Sequence, residues 1–269
     1  MNEHAEAVVR RLGLGLLAGN NMIGLEEALL LKIGRYFTPS PSEVLALREL
    51  LATREQYALR LEIMNDSDKQ FRVLALGAGW GYSFKDLPNG LRQIIDFLLP
   101  GDLFGLGGIF VNGSGFSFAT ITPVEVASIS PQALFAVSRQ WPRLGGALLW
   151  SSSLESSIMG ERLVAIGRRS AAARVAHLLL ELSVRLEFIG QGSSSRFFCP
   201  LAQHDLANAL GLTAIHVNRV LRNLRQLGLV VFRNSEVEFL DRAGLVELAD
   251  FDAAYLGLGR ASSRKIFRG

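Results

Sequence analysis

The most constraining feature of the sequence is a pair of short amphipathic segments between about Leu201 and Arg225. Gly211 separates them, and a glycine commonly ends a helix because it adopts left-handed backbone angles without steric cost. Thr213 follows as a candidate N-cap, whose hydroxyl can accept a backbone N–H of the next turn. The pattern predicts two short helices joined by a tight turn. Their apolar positions are Leu206, Ala207 and Leu210, then Val217, Val220, Leu221 and Leu224.

The opposite face of the second predicted helix carries most of its hydrogen-bonding side chains. A hairpin is predicted directly after it, from Leu229 to Leu240 around the turn Asn234-Ser235. Two helices joined by a tight turn, with a donor-rich second helix and a following hairpin, are the layout of a winged helix-turn-helix that reads DNA. An ordinary helical hairpin with a solvated polar face is the plain alternative. The outward positions are Ile215, His216, Asn218, Arg219, Arg222 and Asn223.

Basic residues are concentrated around this predicted domain. The segment Arg168–Arg233 holds nine arginines and three acids, whereas the net charge of the whole chain is only +3. A basic C-terminal region on an acidic remainder suits a polyanionic partner at one end of the molecule. Solvated basic faces are common, so the charge supports the pattern and does not replace it. The end of the chain adds Arg260, Arg264, Lys265 and Arg268.

The N-terminal half has a different texture. The segment Leu25–Ile33 can form a short helix, and Ser42–Leu51 is predicted as a helix with Ser42 as its N-cap. From about Gln56 to Ile129, short apolar runs alternate with turn clusters such as Leu87–Gly90. Turns about every ten residues predict an antiparallel sandwich or barrel.

A long helix is predicted to follow the barrel. It begins at Pro142 and continues to about Ile166 without an internal proline, and its apolar residues lie on more than one side. A helix that is apolar on two sides packs against two partners, which we expect to be its own barrel and a second subunit. We place Leu148, Leu154 and Ile158 in that homodimer interface.

Composition excludes several other classes. The chain is 49% hydrophobic, but its apolar runs are too short to span a membrane and Met1–Arg11 lacks the layout of a signal peptide. We therefore expect a cytoplasmic protein without membrane association. Cys199 is the only cysteine, which excludes an intrachain disulfide and argues against an iron–sulfur cluster. Cys199 can be a small apolar residue or a redox-sensing thiol.

Enzymatic motifs are weak. Gly77–Gly81 lacks the helix and acid of a dinucleotide loop, and Gly113–Gly115 is not a nucleophile elbow. The histidines show no metal-ligand spacing. We expect no catalysis, no metal and no cofactor.

Three segments resemble the Crp/Fnr family of transcription regulators. Leu206–Leu221 is similar to that family's helix-turn-helix, Arg168–Leu179 to its linker helix and Asp86–Gly105 to its effector-domain barrel. The resemblance covers about residues 35 to 250. It implies an α+β chain that binds double-stranded DNA as a homodimer and works with RNA polymerase. The implied units are a jelly-roll sensor domain (35–141), a dimerisation helix (142–167) and a winged helix-turn-helix (168–250). The rest of the chain forms an N-terminal extension (1–34) and a basic tail (251–269).

The resemblance also marks departures in the effector pocket. Members that bind cyclic nucleotides carry a glutamate after the glycine matched by Gly105 and an arginine ten residues further on. This chain has Leu106 and Phe116 there, followed by Ser117. A phosphate needs a positive partner in a partly buried site, and Phe116 supplies none. We expect a degenerate pocket that does not bind cyclic AMP or cyclic GMP.

The resemblance assigns roles on the second helix. Arg219 stands at the position of the family's base-contacting arginine, and Ile215 stands where well-known members carry a glutamate. His216 and Asn218 are further candidates for base contacts. Thr213, Gln203 and Arg222 are candidates for phosphate contacts. The rival interpretation is a ligand-binding or scaffold dimer whose helix-turn-helix is degenerate, which a salt-dependent shift of promoter DNA would exclude.

Overall fold

Two four-stranded antiparallel sheets face each other in the N-terminal half of the chain. The structure, a computed structural model, describes residues 23–65, 71–111 and 115–257. One sheet has the order β1-β8-β3-β6 and the other β2-β7-β4-β5, which confirms the predicted jelly-roll architecture. The strands are β1 (Arg54–Tyr57), β2 (Glu62–Met64), β3 (Val73–Ala78), β4 (Gly81–Asp86), β5 (Arg92–Leu98), β6 (Leu103–Phe104), β7 (Ser117–Thr120) and β8 (Val124–Ile129).

Some strands differ from the pattern-based prediction. The apolar run from Tyr57 to Met64 is divided between β1 and β2, because Arg60 has a φ of 57° and turns the chain between them. A second apolar run of this region, Ala119–Ile129, is likewise divided between β7 and β8. The sequence pattern did not predict β4, whose first four residues are all buried and therefore show no alternation.

The interior between the sheets is filled by apolar side chains. Leu74 and Phe104 from one sheet meet Met64 and Phe118 from the other. The rings of Phe104 and Phe118 stack with centroids 5.3 Å apart. Burying such side chains stabilises the sandwich by about 1.5–3 kcal/mol each.

Three helices cover the outer face of the first sheet. They are α1 (Leu25–Ile33), α2 (Pro41–Leu50) and α3 (Pro131–Gln140). Six of the nine residues of α1 are buried, so the segment we assigned to an N-terminal extension contributes to this layer from residue 25 onward.

The predicted N-cap Ser42 is wrong. Ser40 caps α2, since its hydroxyl accepts from the Glu43 amide and its own amide donates to the Glu43 carboxylate at 2.7 Å.

The predicted long helix is present as α4 (Pro142–Arg168), 27 residues in length. It is followed by α5 (Ala171–Phe188), which Ser170 caps by accepting the amide of Ala173. Among the described residues, no helix is both long and apolar enough to cross a membrane.

The C-terminal domain combines helices with a three-stranded sheet. After α5 come β9 (Arg196–Phe198), α6 (Gln203–Leu210), α7 (Ala214–Gln226), β10 (Val230–Arg233), β11 (Glu236–Phe239) and α8 (Arg242–Ala249). The predicted hairpin is confirmed, with Asn234 and Ser235 at φ 52° and 58° in its turn. The strand β9 was not predicted, because a glycine- and serine-rich stretch precedes it.

Beyond α8, a short 3-10 helix (Ala253–Leu256) packs against α4 and α5. The last four basic residues lie outside the described part of the chain.

This domain docks on the outer face of the second sheet. Tyr82, Phe84 and Phe97 belong to the same apolar cluster as Leu206 and Leu210. Polar contacts cross the same boundary, since the Gln93 side-chain amide donates to the Ala209 carbonyl at 3.3 Å. The strand β5 is therefore covered on both sides, by the sandwich interior and by the C-terminal domain.

Two buried arginines tie this docking together. Arg185 of α5 donates to Asp96 of β5 at 3.0 Å, to Asp102 at 3.0 Å and to the Phe97 carbonyl at 2.7 Å. Arg162 of α4 donates to Glu181 of α5 at 2.7 Å. Burial alone would raise the pKa of Asp102, but neighbouring cations, first Lys32 and then Arg185, hold the pKa of that carboxyl below its ordinary value.

We predict that Arg185→Ala destabilises the protein by about 3–5 kcal/mol, because it leaves the buried Asp96 without its main partner and removes one of the two cations beside Asp102. Urea unfolding measures the change. The matched control is Arg48→Ala, since Arg48 pairs with Glu26 at the surface and should contribute about 0–1 kcal/mol. Equal effects of the two variants would contradict the prediction.

Candidate DNA interface

The second helix of the predicted helix-turn-helix is set by its cap and by the preceding turn. Gly211 adopts a φ of 64°, which ends α6 in the left-handed region as the sequence predicted. Thr213 caps α7, and its hydroxyl accepts the His216 amide at 3.2 Å. Val217, Val220 and Leu224 are buried, so the opposite face of α7 points away from the core.

The outward face of α7 holds the predicted base-reading residues together. Ile215 is 85% exposed. Asn218, Arg219 and Arg222 are exposed, and His216 is half-buried. Among the residues that the structure describes, Arg219 and Arg222 make no hydrogen bond or ion pair. Two guanidinium groups on one exposed helix face are therefore available to an external acceptor.

Gln203 and Asn218 lie next to each other across the two helices. The Asn218 side-chain amide donates to the Gln203 amide oxygen at 3.2 Å. This contact holds the first residue of α6 beside the exposed face of α7. Thr213 is exposed as well, and its hydroxyl is engaged in the cap.

Two exposed arginines extend the basic face beyond the residues predicted from sequence. Arg225 lies in the last turn of α7, and Arg233 precedes the wing turn. Their placement could have been predicted, because Arg225 is three residues beyond Arg222 and Arg233 borders the Asn234-Ser235 turn. Arg196 is partly neutralised by Glu236 on the neighbouring strand, at 3.3 Å.

The first helix is anchored to the sandwich by an ion pair. The two terminal guanidinium nitrogens of Arg60, Nη1 and Nη2, donate to the Asp205 carboxylate at 2.8 and 2.9 Å. Asp205 is only 2% exposed and also accepts the Ala202 amide at 2.8 Å, which caps the start of α6. At the other end of α6, Arg174 donates to the Leu210 carbonyl at 3.2 Å. These contacts fix α6, and α7 packs against it.

The positions matched to the effector pocket are apolar and packed. Leu106 begins a 3-10 helix (Leu106–Phe110) and is 8% exposed. Phe116 packs against the sandwich interior, and Ser117 is buried at the start of β7. The neighbouring Gly113 and Ser114 lie outside the described residues. That the chain binds no cyclic nucleotide stays a prediction.

The predicted interface residues of α4 face their own chain to different degrees. Ile158 is 4% exposed and packs with Val184 and Leu256, while Leu154 is partly buried beside them. Leu148 packs against the cluster under the first sheet. The exposed apolar residues of α4 are Leu149, Leu163 and Val164, at 70%, 73% and 49% exposure. A partner would therefore meet a different side of α4 from the one occupied by Ile158.

Cys199 and His177 are both core residues. Cys199 is fully buried, and burial raises the pKa of its thiol to about 12. His177 lies against the rings of Phe251 and Tyr255, and burial lowers the pKa of its imidazole. The geometry favours the apolar role of Cys199 over a redox sensor, because only a thiolate is readily oxidised.

Comparison with known proteins agrees with this geometry. Residues 173–248 match the family described as Crp-like helix-turn-helix domain. The chain is 32% identical over 169 residues to the nitrogen fixation regulation protein FixK of Bradyrhizobium diazoefficiens, covering 62% of this chain and 69% of that protein. It is 29% identical over 177 residues to the transcriptional activator protein anr of Pseudomonas aeruginosa, covering 66% of this chain and 72% of that protein.

A solved structure shows the same fold. The FixK2 protein from Bradyrhizobium japonicum superposes with a TM-score of 0.66 and 26% identity, covering 75% of this chain and 98% of that one. The chain belongs to the Crp/Fnr family of transcription regulators, and its C-terminal helix-turn-helix is the DNA-binding domain of that family.

We predict that Cys199 in the folded protein does not react with a thiol reagent at neutral pH, because its sulfur is buried and its thiol pKa is about 12. One thiol per chain should appear after unfolding in guanidinium. Ellman's reagent, read by absorbance, measures both states. Rapid modification of the native protein would show that the thiol is accessible and would favour the redox-sensing interpretation of Cys199.

Proposed function

We propose that this regulator acts in the cytoplasm as a homodimer on a twofold-symmetric DNA site, with α7 of each protomer in the major groove. The observation that carries the proposal is the pair of unengaged guanidinium groups of Arg219 and Arg222 on the exposed face of a capped helix. A major groove admits one α-helix, and arginine offers two donors to O6 and N7 of guanine.

The proposed roles follow from the positions along α7. Arg219 lies in the middle of the exposed face and reads a base, with His216 and Asn218 beside it. Ile215 cannot accept a hydrogen bond from a base amine, but it can contact a thymine methyl group. The half-site therefore differs, at that base pair, from sites read by a glutamate. Thr213, Gln203, Arg222, Arg225 and Arg233 contact phosphates, which contribute affinity without sequence preference.

The dimer is proposed through a seam along α4. Its exposed residues recur at alternating intervals of four and three, which is the period of a two-stranded coiled coil. The small residues in the seam let the two helices approach closely, and Leu149 and Leu163 supply the apolar contacts. We define this α4 seam as Leu149, Ser153, Ser156, Gly160, Leu163 and Gly167, all of them exposed in the single chain.

A twofold dimer places its two recognition helices about 34 Å apart, one turn of DNA. Several relatives are described as transcriptional activators. We propose that the bound dimer likewise contacts RNA polymerase, which in vitro transcription from a promoter carrying the selected site tests directly.

We predict that Arg219→Ala costs about 1–3 kcal/mol per half-site and relaxes specificity at one base pair, because the lost contact reads a base. Arg222→Ala is the matched variant and should weaken binding to all sequences by a similar factor. Fluorescence anisotropy against a selected site and a scrambled site, at one fixed salt concentration, measures both. If Arg219→Ala weakens the two DNAs equally, Arg219 contacts a phosphate and its assignment is wrong.

We predict that Leu163→Glu converts the dimer to a monomer, because it places a carboxylate in the α4 seam against its twofold copy. Losing one buried leucine on each protomer removes about 3–6 kcal/mol of association free energy. Light scattering measures the mass at micromolar concentration. The control is Leu45→Glu, the same change at an exposed position of α2. A variant that remains dimeric would place the interface elsewhere on the molecule.

A further inference from the structure

A cluster of buried and half-buried charges lies where the sandwich, α4 and α5 meet. It brings together α1, β5 with the turn that follows it, α4 and α5, so both the N-terminal and the C-terminal halves of the chain contribute to it. We define this junction cluster as Lys32, Asp96, Asp102, Glu155, Arg162, Glu181 and Arg185.

The ion pairs within the junction cluster leave one carboxylate without a cationic partner. Arg185 is shared by Asp96, Asp102 and Glu181, and Arg162 reaches Asp96 and Glu181. Lys32 pairs with Asp102 at 2.6 Å. The cluster contains three cations and four carboxylates, so with every group ionised it carries one uncompensated negative charge in a largely buried place. Such a charge is costly, and a buried site avoids it by binding a proton.

Glu155, which is half-buried, is the unpaired member. Among the described residues it makes no hydrogen bond or ion pair, whereas the other three carboxylates are engaged by cations. It lines a cavity of about 30 Å³ together with Ser83 of β4 and Ser151 of its own helix. The charged groups that face the same cavity are Asp96 from β5, Asp102 from the following turn and Arg185 from α5.

We propose that Glu155 holds the proton that neutralises the junction cluster, and that losing this proton loosens the docking of α5 and its DNA-binding domain on the sandwich. Burial, followed by the charges of Asp96 and Asp102, raises the pKa of Glu155 to about 7, and Arg185 opposes the shift. The proton is therefore exchanged close to neutral pH. This inference rests on the proposed function only where DNA affinity is the readout.

The direction of the effect follows from the contacts of Arg185. Neutral Glu155 can donate its O–H across the cavity and leaves Arg185 to Asp96 and Asp102. Ionised Glu155 repels both of these carboxylates and competes with them for Arg185. Because the pKa in the folded protein lies above the ordinary 4.5, the stabilisation from the proton is complete below about pH 4.5 and is lost as the pH rises through about 7.

Docking also affects DNA binding. The exposed face of α7 is open in the docked arrangement, so docking restricts the orientation of the helix without covering it. A released domain has more orientational freedom. Binding to DNA removes this freedom at an entropic cost, so release weakens binding. Affinity should therefore fall as the pH rises.

Hydrogen exchange of the full-length protein tests the switch without DNA. Amides of β5 and α5 are compared at about pH 6 and about pH 8.5, on either side of the Glu155 pKa, after correction for intrinsic exchange rates. We expect protection of the wild type to fall at least about threefold at the higher pH. Glu155→Gln, which keeps the neutral charge and shape of the protonated acid, should retain its protection at both pH values.

The control for the loss of one charge is Glu49→Gln, at an exposed position of α2, which should behave as the wild type. The proposal is overturned if Glu155→Gln shows the same pH dependence as the wild type. It is also overturned if Glu155→Gln fails to fold, because a neutral side chain of the same shape should be accommodated.

DNA affinity provides the second readout. His216 lies on the DNA-facing helix as a proposed base contact, so the measurement uses the His216→Gln background, in which this histidine cannot contribute to a pH dependence. Kd should rise at least about threefold between the two pH values, and adding Glu155→Gln should abolish that rise. If the exchange experiment succeeds but no variant binds DNA, the proposed function fails and the proton switch stands. If DNA binds with a pH dependence that Glu155→Gln leaves intact, the switch is wrong.

Discussion

The arrangement of this regulator depends on how Arg185 is satisfied in the interior. A guanidinium has five N–H donors in a rigid fork, and a buried one must find acceptors for nearly all of them. Here the acceptors come from β5, from the turn after it and from α5 itself. Few relative positions of sandwich and DNA-binding domain meet this requirement, so one side chain restricts the docking of the whole domain.

The same requirement explains the unusual character of β5. An antiparallel strand with one face in water alternates apolar and polar residues. The sequence of β5, RQIIDFL, has no such alternation because Phe97 faces the C-terminal domain, Leu98 faces the sandwich interior, and Asp96 is placed to receive two arginines. A strand between two cores thus carries a buried acid, and the acid is tolerated only because α4 and α5 bring their cations to it.

The sequence predicted most where the signals were local. The cap at Thr213, the turn at Gly211 and the Asn234-Ser235 hairpin each depend on two or three neighbouring residues, and all are present. The misses depend on contacts between distant segments. The packing of α1 on the first sheet and the burial of Ile158 within its own chain are two examples. Helical spacing shows which residues share a face of a helix, but it does not show what that face packs against. The junction cluster joins residues up to 153 positions apart, from Lys32 to Arg185, so no spacing could indicate it.

The junction cluster is linked by continuous packing to α7, whose exposed face we propose reads DNA. Elements that share a close-packed interior move together, because separate movement would open voids or create steric overlaps, and both are energetically costly. The apolar cluster is continuous from Leu178 of α5 through Leu206 of α6 to Val217 and Val220 of α7. We therefore expect a shift of α5 at Arg185 to move α7, the proposed recognition helix, with it. Arg162 and Glu155 both belong to α4, the helix that we propose as the dimer seam. In the proposed dimer, a charge in the junction cluster would therefore act on both α4 and α5, the two helices that connect the DNA-binding domains.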